Sequence, residues 1–363
     1  MPSVEIALGK RSYPVMISPG LLSDGEAWRP VIGRRSSILV VSNEVVAPLY
    51  LDCLCGALEG LPLETLVLPD GEQTKNFDTW TRVIDRLVDM RAGRDACLLA
   101  LGGGVIGDLC GFAAATYMRG VAYIQAPTSL LAQVDAAIGG KTGINHPQGK
   151  NLVGAFHQPL AVMADTAALE TLPRRHFVAG LAEVVKYGAI RDAGFLQWLE
   201  QHSAEVGERE PDCLGRVIET CVRHKAEVVA ADELEAGQRA LLNFGHSFGH
   251  ALESATGYQQ YLHGEAVSIG MVIAAMLSEA RGLCPPGTAQ RLSALLSGFG
   301  LPVALPADLP ADTLVRAMVL DKKNRDGRTS LILLRAAGQA MIDTRSTEAE
   351  IRAAIEQCRS TQT

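Results

Sequence analysis

The chain of 363 residues has few aromatic residues and no excess of basic charge. Aromatic residues make up 5% of the sequence, whereas hydrophobic residues make up 48%, so sizeable cores must be built mainly from aliphatic side chains. The net charge of −7 excludes a broad nucleic-acid surface, because binding a phosphate backbone needs a basic face. The length indicates about two domains.

Paired cysteines and long apolar runs are also lacking. The eight cysteines form no Cys-x-x-Cys pair, and several lie inside apolar runs, as Cys97 does in 96–100. They are predicted to be reduced packing residues, which excludes a disulfide framework and a cysteine zinc site. The chain has no charged N-terminal stretch followed by an apolar core, and no apolar run is long enough to span a bilayer. We expect a soluble, cytoplasmic protein without a membrane partner.

Lysine is the scarce cation, since only eight of the 33 basic residues are lysines. Lysine is a compact point charge whose pKa can move, which suits binding to a phosphate. Lys10 is compatible with chance placement. Six of the eight fall in glycine-rich, acid-rich or helical motifs, and we expect the surviving lysines to be informative. Besides Lys10 they are Lys75, Lys141, Lys150, Lys186, Lys225, Lys322 and Lys323.

The pattern of predicted secondary structure changes near Pro173. Before it, short β-rich runs alternate with helical stretches, which predicts a parallel sheet covered by helices. From 176 to about 281, long periodic segments predict helices, and a strand at 328–334 and a helix from about 347 close the chain. We therefore predict an α/β nucleotide-binding domain over residues 1–173, with a parallel sheet of a variant Rossmann-like type, and a mainly α-helical domain over residues 174–363.

A metal site is indicated by His246 and His250, which are four residues apart in helix-forming sequence. Such a pair lies on one face of a helix and can converge on a cation, with Glu183 as the best candidate for a third ligand. The alternative is that both are core histidines bonded to backbone carbonyls. A third histidine in His263-Gly-Glu265 favours the metal.

A nucleotide site is indicated where 98–101 run into Gly102-Gly-Gly-Val-Ile-Gly107-Asp108. Glycines such as Gly103 let backbone amides approach a pyrophosphate at a helix N-terminus. The acidic ribose ligand of the usual fingerprint is missing, because no Asp or Glu lies between Asp108 and Asp135. We expect a variant site with ribose or adenine contacts from Asn43 and 70–75. The alternative is a tight packing turn.

Cations and amides in several motifs predict an anionic substrate, either a phosphate or a carboxylate. Glycine beside lysine in Gly139-Gly-Lys141 permits close approach of an oxyanion. For any single residue a surface salt bridge is the alternative, so the prediction rests on their joint occurrence. The residues concerned are Lys141, Lys150, Asn151, Lys186, Lys225, Arg239, Asn243 and Lys322.

Together these motifs resemble the 3-dehydroquinate synthase family. The resemblance extends from about residue 4 to 358, and its most specific segments are 69–73, 102–108, 138–142, 180–188, 242–250, 263–267 and 321–323. It implies a nucleotide-binding domain, a helical domain, an active site in the cleft between them, and a homodimer.

The resemblance also implies site residues. One divalent metal ion, Zn2+ or Co2+, would be held by Glu183, His246 and His263, so that His250 faces the substrate. The NAD contacts would be Asp70, Gly71, Glu72, Gln73, Thr74, Lys75, Gly104, Val105, Ile106, Gly107, Asp108, Thr128, Ser129, Lys141, Lys150, Ala168, Leu169, Glu170 and Thr171. The substrate contacts would be Asp135, Lys141, Asn151, Lys186, Lys225, Arg239, Asn243, His250 and Lys322, with Arg119 reaching the phosphate in the neighbouring subunit.

The implied reaction converts 3-deoxy-D-arabino-heptulosonate 7-phosphate to 3-dehydroquinate and phosphate in the shikimate pathway. It proceeds by transient oxidation with NAD, phosphate elimination, re-reduction and aldol closure. Two departures from the family pattern are Ser129 for threonine, which keeps the hydroxyl of an implied NAD contact, and Ala136-Ala137 for two serines, which lose theirs. Three alternatives stay open: a cyclase acting on another sugar phosphate, a polyol dehydrogenase such as glycerol dehydrogenase, and a non-catalytic nucleotide sensor.

Overall fold

The computed structural model describes residues 3–322 and 330–360. The chain divides into two compact units, of which the first contains residues 1–173 and 214–234 and the second contains residues 174–213 and 235–363. The sequence analysis assigned 214–234 to the second domain, because a helical pattern does not reveal the unit against which a helix packs.

The first unit is built on a seven-stranded sheet. Its strands follow the order β1-β2-β9-β6-β5-β3-β4, and all neighbours are parallel except the antiparallel pair β1 and β2. β7 and β8 form a separate antiparallel hairpin, which the sequence analysis did not predict. The strands are β1 (Ser3–Ile6), β2 (Tyr13–Ser18), β3 (Ile38–Asn43), β4 (Leu63–Leu68), β5 (Cys97–Gly102), β6 (Ala122–Pro127), β7 (Lys141–His146), β8 (Gly149–Phe156) and β9 (Val162–Asp165).

Helices cover both faces of this sheet, as the alternating pattern predicted. They are α1 (Gly25–Ile32), α2 (Ala47–Ala57), α3 (Phe77–Asp89) and α4 (Gly104–Thr116). Alternate residues of β3 enter different cores: Leu39 and Val41 pack with α3 and α4, whereas Ile38 and Val40 pack with α1 and α2. Because neither face meets water, β3 is apolar for most of its length instead of alternating.

The second unit is mainly helical, which confirms the predicted fold class. Its helices are α5 (Arg174–Arg191), α6 (Ala193–Gln201), α7 (Ser203–Gly207), the start of α8 (Pro211–Ala231), α9 (His246–Ala255), α10 (His263–Ala280), α11 (Thr288–Gly298), α12 (Ala311–Lys322) and α13 (Glu348–Ser360). An antiparallel pair, β10 (Leu331–Ala336) and β11 (Gln339–Asp343), completes it. None of the helices in the described part of the chain is long and apolar enough to cross a membrane.

α10 is almost entirely buried and packs against α5, α9, α11 and α13. Glycines permit the closest approaches. A side chain at Gly264 would overlap the carbonyl oxygen of Ala179 in α5, and one at Gly270 would overlap the carbonyl oxygen of Gly245. Backbone contact, and not adjustable side chains, therefore fixes the start of α10 against α5.

Gly264→Ala is expected to lower the free energy of unfolding by at least about 2 kcal/mol, because the added methyl group meets backbone that cannot move aside. Gly298→Ala is the matched control in the same unit, since a Cβ there has no atom within 4 Å. Urea unfolding followed by circular dichroism measures both variants. Equal midpoints for the two variants would contradict the packing argument.

Candidate functional site

Three metal-binding side chains converge in the second unit. Glu183 lies in the middle of α5, while His246 and His263 are the first residues of α9 and α10. Glu183 Oε1 is 3.5 Å from His246 Nε2 and 3.7 Å from His263 Nε2. A tetrahedral zinc ion with ordinary bond lengths separates its ligand atoms by about 3.3 Å, so this spacing fits a metal ion.

The Glu183 carboxylate is fully buried, with 0% exposure. Lys186, one turn later, forms an ion pair with its Oε2 atom. Apart from this ion pair, no hydrogen-bond donor within the described residues satisfies either Glu183 oxygen. Since buried carboxylates need strong partners, these oxygens fit a ligand role toward a divalent cation.

The surroundings of His246 favour its neutral form, which is the form that binds a metal ion. Burial lowers its pKa well below the ordinary value, and the nearby charges of Lys186, His263 and His250 lower it further. Its Nδ1 lies 3.1 Å from the Phe244 carbonyl oxygen, to which a protonated Nδ1 donates. The lone pair then remains on Nε2, which faces Glu183.

His250 has a different position. It is exposed, and its ring centroid lies 5.5 Å from that of His246 and 5.8 Å from that of His263. The group around Glu183 contains His246 and His263, whereas His250 groups with His263 and with Glu253. The sequence analysis missed Glu253, although its spacing of seven from His246 places both on one helix face.

Two other predicted substrate contacts of the second unit, Arg239 and Asn243, lie in the segment just before α9. Arg239 is 1% exposed in a short 3-10 helix, and Asn243 Nδ2 donates to Glu235 Oε1 at 3.0 Å. Glu235 has a left-handed φ of 59° and was also missed, because the sequence gives no sign of that turn. Lys322 ends α12, but its side chain and Lys323 lie outside the described residues.

The glycine turn of the first unit joins β5 to α4. Gly103 caps the helix N-terminus without a side-chain cap, and Gly103 and Gly104 are half-buried. A Cβ at Gly107 would overlap Gln125, whereas one at Gly103 would lie 3.4 Å from Ser129 Oγ. Packing therefore accounts for Gly107, but the first amides of α4 remain accessible to an anion.

Polar residues expected to bind the nucleotide gather at the carboxyl ends of β3, β4 and β5. Asn43 Nδ2 donates to Asp70 Oδ1 at 2.5 Å. Lys75, which is 4% exposed, donates from Nζ to Asp108 Oδ2 and to Asn151 Oδ1, both at 2.5 Å. Burial raises the pKa of Asp108, and the Lys75 ammonium opposes that shift. Ligands bind at this edge in open parallel sheets.

The other predicted residues of the first unit differ in burial, from the buried Lys225 to the exposed Lys141. Lys225 donates from Nζ to the Asp135 carboxylate and carbonyl, both at 2.6 Å. Lys141 is exposed at the start of β7, and Lys150 is half-buried in β8. Tyr50, which the sequence analysis missed, donates at 3.1 Å to the carbonyl of Ala168 in the expected 168–171 segment.

Comparison with known proteins decides the family. Residues 65–179 match the family model described as 3-dehydroquinate synthase N-terminal, and residues 180–324 match the model described as 3-dehydroquinate synthase C-terminal. The chain belongs to the 3-dehydroquinate synthase family. It is 52% identical over 337 residues to the 3-dehydroquinate synthase of Halorhodospira halophila, covering 93% of the chain and 94% of that protein. The family member of Methylococcus capsulatus is 49% identical over 356 residues, covering 98% and 99%.

Solved structures of sugar phosphate cyclases share the fold of this family member. The 2-epi-5-epi-valiolone synthase ValA of Streptomyces hygroscopicus, with NAD+ and Zn2+ bound, matches with a TM-score of 0.88 and 33% identity, covering 97% of this chain and 98% of that one. A 2-deoxy-scyllo-inosose synthase complexed with carbaglucose-6-phosphate, NAD+ and Co2+ matches with a TM-score of 0.89 and 26% identity, covering 98% and 100%. A probable glycerol dehydrogenase from Sinorhizobium meliloti, 16% identical with a TM-score of 0.68 and 96% coverage of both chains, shares the fold alone.

Zinc titrated calorimetrically into metal-free protein is expected to bind once per chain. Glu183→Gln and His246→Ala should each weaken binding by more than the roughly 100-fold that outer-shell losses cost, because each removes a ligand atom. His250→Ala should keep the affinity, since His250 lies outside the Glu183 group. If His250→Ala weakens binding as much as His246→Ala does, the pair and not the triad holds the metal.

Proposed function

We propose that this chain converts 3-deoxy-D-arabino-heptulosonate 7-phosphate to 3-dehydroquinate and phosphate. Membership of the 3-dehydroquinate synthase family supports the reaction. The observation that carries the proposal is the buried Glu183 carboxylate facing the Nε2 atoms of His246 and His263. A non-catalytic nucleotide sensor would have no use for such a centre.

We infer that the chain uses NAD and one divalent metal ion, Zn2+ or Co2+, as the two cyclase structures do. Glu183, His246 and His263 would hold the metal, and the first turn of α4 with Asn43, Asp70 and Lys75 would hold NAD. When bound, the metal would supply the Lewis acidity that lowers the pKa of a substrate hydroxyl, and NAD would supply a reversible hydride acceptor. The chain's own residues supply orientation and charge.

The substrate is a dianionic phosphate with a carboxylate, and each unit offers donors for these groups. In the first unit, Asp135 holds the Lys225 ammonium in place before substrate arrives. In the second unit, the Arg239 guanidinium has the planar fork that suits a carboxylate. We assign the phosphate to Lys141, Asn151, His250 and Lys322, and the carboxylate to Lys225 and Arg239.

Purified protein incubated with the heptulosonate phosphate and a catalytic amount of NAD should release inorganic phosphate without accumulating NADH. The cofactor is reduced and then re-oxidised within one turnover, so its absorbance returns to the starting value. A phosphate assay and the NADH absorbance band measure both. Steady NADH accumulation would instead support a polyol dehydrogenase, and no phosphate release would reject the cyclase.

Lys141→Ala tests the anion-binding role in the same assay. Losing one charge that stabilises the transition state should lower turnover by about 100-fold while leaving the fold intact. Lys10→Ala is the matched control, because Lys10 is an exposed lysine of the same unit that no motif contains. Equal turnover of the two variants would remove Lys141 from the mechanism.

We also propose a homodimer in which Arg119 serves the neighbouring subunit. Met118 and Arg119 have left-handed φ values of 47° and 66°, and Gly120 follows with 121°. Non-glycine residues in this conformation are strained and cluster at functional sites. Arg119 is exposed in this turn, as a contact with a neighbouring subunit requires.

A mixture of two inactive variants tests this arrangement. Arg119→Ala and Lys225→Ala chains are each expected to be nearly inactive alone. After unfolding and refolding together, half of the dimers are mixed and each has one complete site, so about a quarter of the wild-type activity should return. If the mixture stays inactive while both variants elute as dimers, Arg119 acts within its own chain.

A cytoplasmic location is part of the same proposal. None of the eight cysteines forms a disulfide bond, and burial raises the pKa of the Cys97 and Cys110 thiols. A chain with this many cysteines and no disulfide is typical of proteins in a reducing compartment.

A further inference from the structure

Glu253 is a buried acid beside the metal-binding histidines. It lies in α9 with 2% exposure, and its Oε2 atom is 3.3 Å from Nδ1 of His263. A buried carboxylate is unfavourable unless strong partners compensate it. Its place beside a metal-ligand candidate therefore calls for a specific role.

The geometry of His263 defines that role. Its Nε2 atom is directed at Glu183 Oε1, 3.7 Å away. A neutral imidazole that offers its Nε2 lone pair to a cation carries its proton on Nδ1. That proton points to Glu253, which accepts it. A carboxylate acceptor fixes the ring and makes the imidazole a stronger donor to a metal.

The two histidines differ in their outer partners. His246 Nδ1 faces the neutral carbonyl of Phe244 at 3.1 Å, whereas His263 Nδ1 faces a carboxylate. Glu253 consequently adds a second buried negative charge to that of Glu183. Two nearby carboxylates favour a divalent cation between the imidazoles that they face.

Close backbone packing holds Glu253 and His263 in register. A Cβ at Gly249 would lie 3.1 Å from the Val267 backbone nitrogen, so α9 and α10 approach without intervening side chains. Glu253 follows Gly249 by four residues, and His263 precedes Val267 by four. Each therefore lies one turn from the contact, on the same side of its helix.

We propose that Glu253 is a positioning residue that fixes the ring and tautomer of His263 and so sets the affinity of the Glu183–His246–His263 centre for its divalent cation. The inference rests on the metal role proposed above for that centre. It extends that role to a residue with no place in the ligand set or among the substrate contacts.

Zinc affinity of the metal-free protein tests the inference, measured by competition with a chromophoric chelator. Glu253→Gln keeps the size of the side chain and should weaken binding between about 10-fold and 100-fold, with one ion still bound per chain. Glu253→Asp keeps the charge but withdraws it by one methylene, so its affinity should fall between wild type and Glu253→Gln. In a His263→Ala background, Glu253→Gln should change the affinity by less than about threefold, because its partner is gone.

Asp343→Asn is the matched control. Asp343 is a buried acid of the same unit, 4% exposed, which binds Arg281 and Ser346. Its loss should lower thermal stability and leave zinc affinity unchanged. Glu253→Gln should weaken zinc binding and leave the thermal stability of the metal-free protein unchanged.

Two results would overturn the inference: wild-type zinc affinity in Glu253→Gln, or an effect of the same size with and without His263. Two zinc ions per wild-type chain, one of them lost in Glu253→Gln, would show instead that His250, Glu253 and His263 bind a metal directly. A wild-type chain that binds no zinc overturns the metal centre and this inference with it. Zinc binding without phosphate release from the sugar phosphate overturns the catalytic proposal alone.

Discussion

The burial of the Glu183 carboxylate is the constraint on which the second unit depends. A charge with no exposure must be compensated from within, and here an ion pair with Lys186 and two imidazoles surround it. These partners come from three helices, so compensating one charge requires α5, α9 and α10 to meet at this carboxylate. Gly264 and Gly270 then supply the backbone proximity that brings their residues within reach.

The first unit has a polar network at its predicted nucleotide site. The acidic ribose ligand of the usual dinucleotide fingerprint is absent from its expected place in the sequence. Asn43 and Asp70 are joined by a hydrogen bond at the ends of β3 and β4, where a polar pair is available to a nucleotide. Lys75 ties Asp108 to Asn151, so residues from a loop, a helix and a hairpin form one polar network.

Much of the fold could be predicted from the sequence, because strands, helices and glycine turns leave local patterns of residues. The alternation of strands and helices before Pro173 corresponds to β3 to β6 with α2 to α4, and the helical stretch from 176 to about 281 corresponds to α5 to α10. The β7–β8 hairpin was missed because its glycines and lysines suggested a binding loop. Residues 214–234 were assigned to the second domain, since amphipathic spacing shows that a helix has a buried face but not what covers it.

The site residues also differ in whether a local sequence pattern could predict them. Helical spacing paired His246 with His250. The grouping of His263 with Glu183 depends instead on how three helices pack, and before the structure only the family resemblance implied it. Glu235 and Glu253 have roles set by a left-handed turn and by a helix contact, neither of which a one-dimensional pattern contains.

The position of the two histidines at the very start of α9 and α10 has a consequence for charge. The beginning of a helix is equivalent to about half a positive charge, so two such fields act on the proposed cation site. The carboxylates must outweigh this repulsion. In return, the same fields favour any ligand oxygen that becomes negative there, so the fold is biased toward an alkoxide over an alcohol.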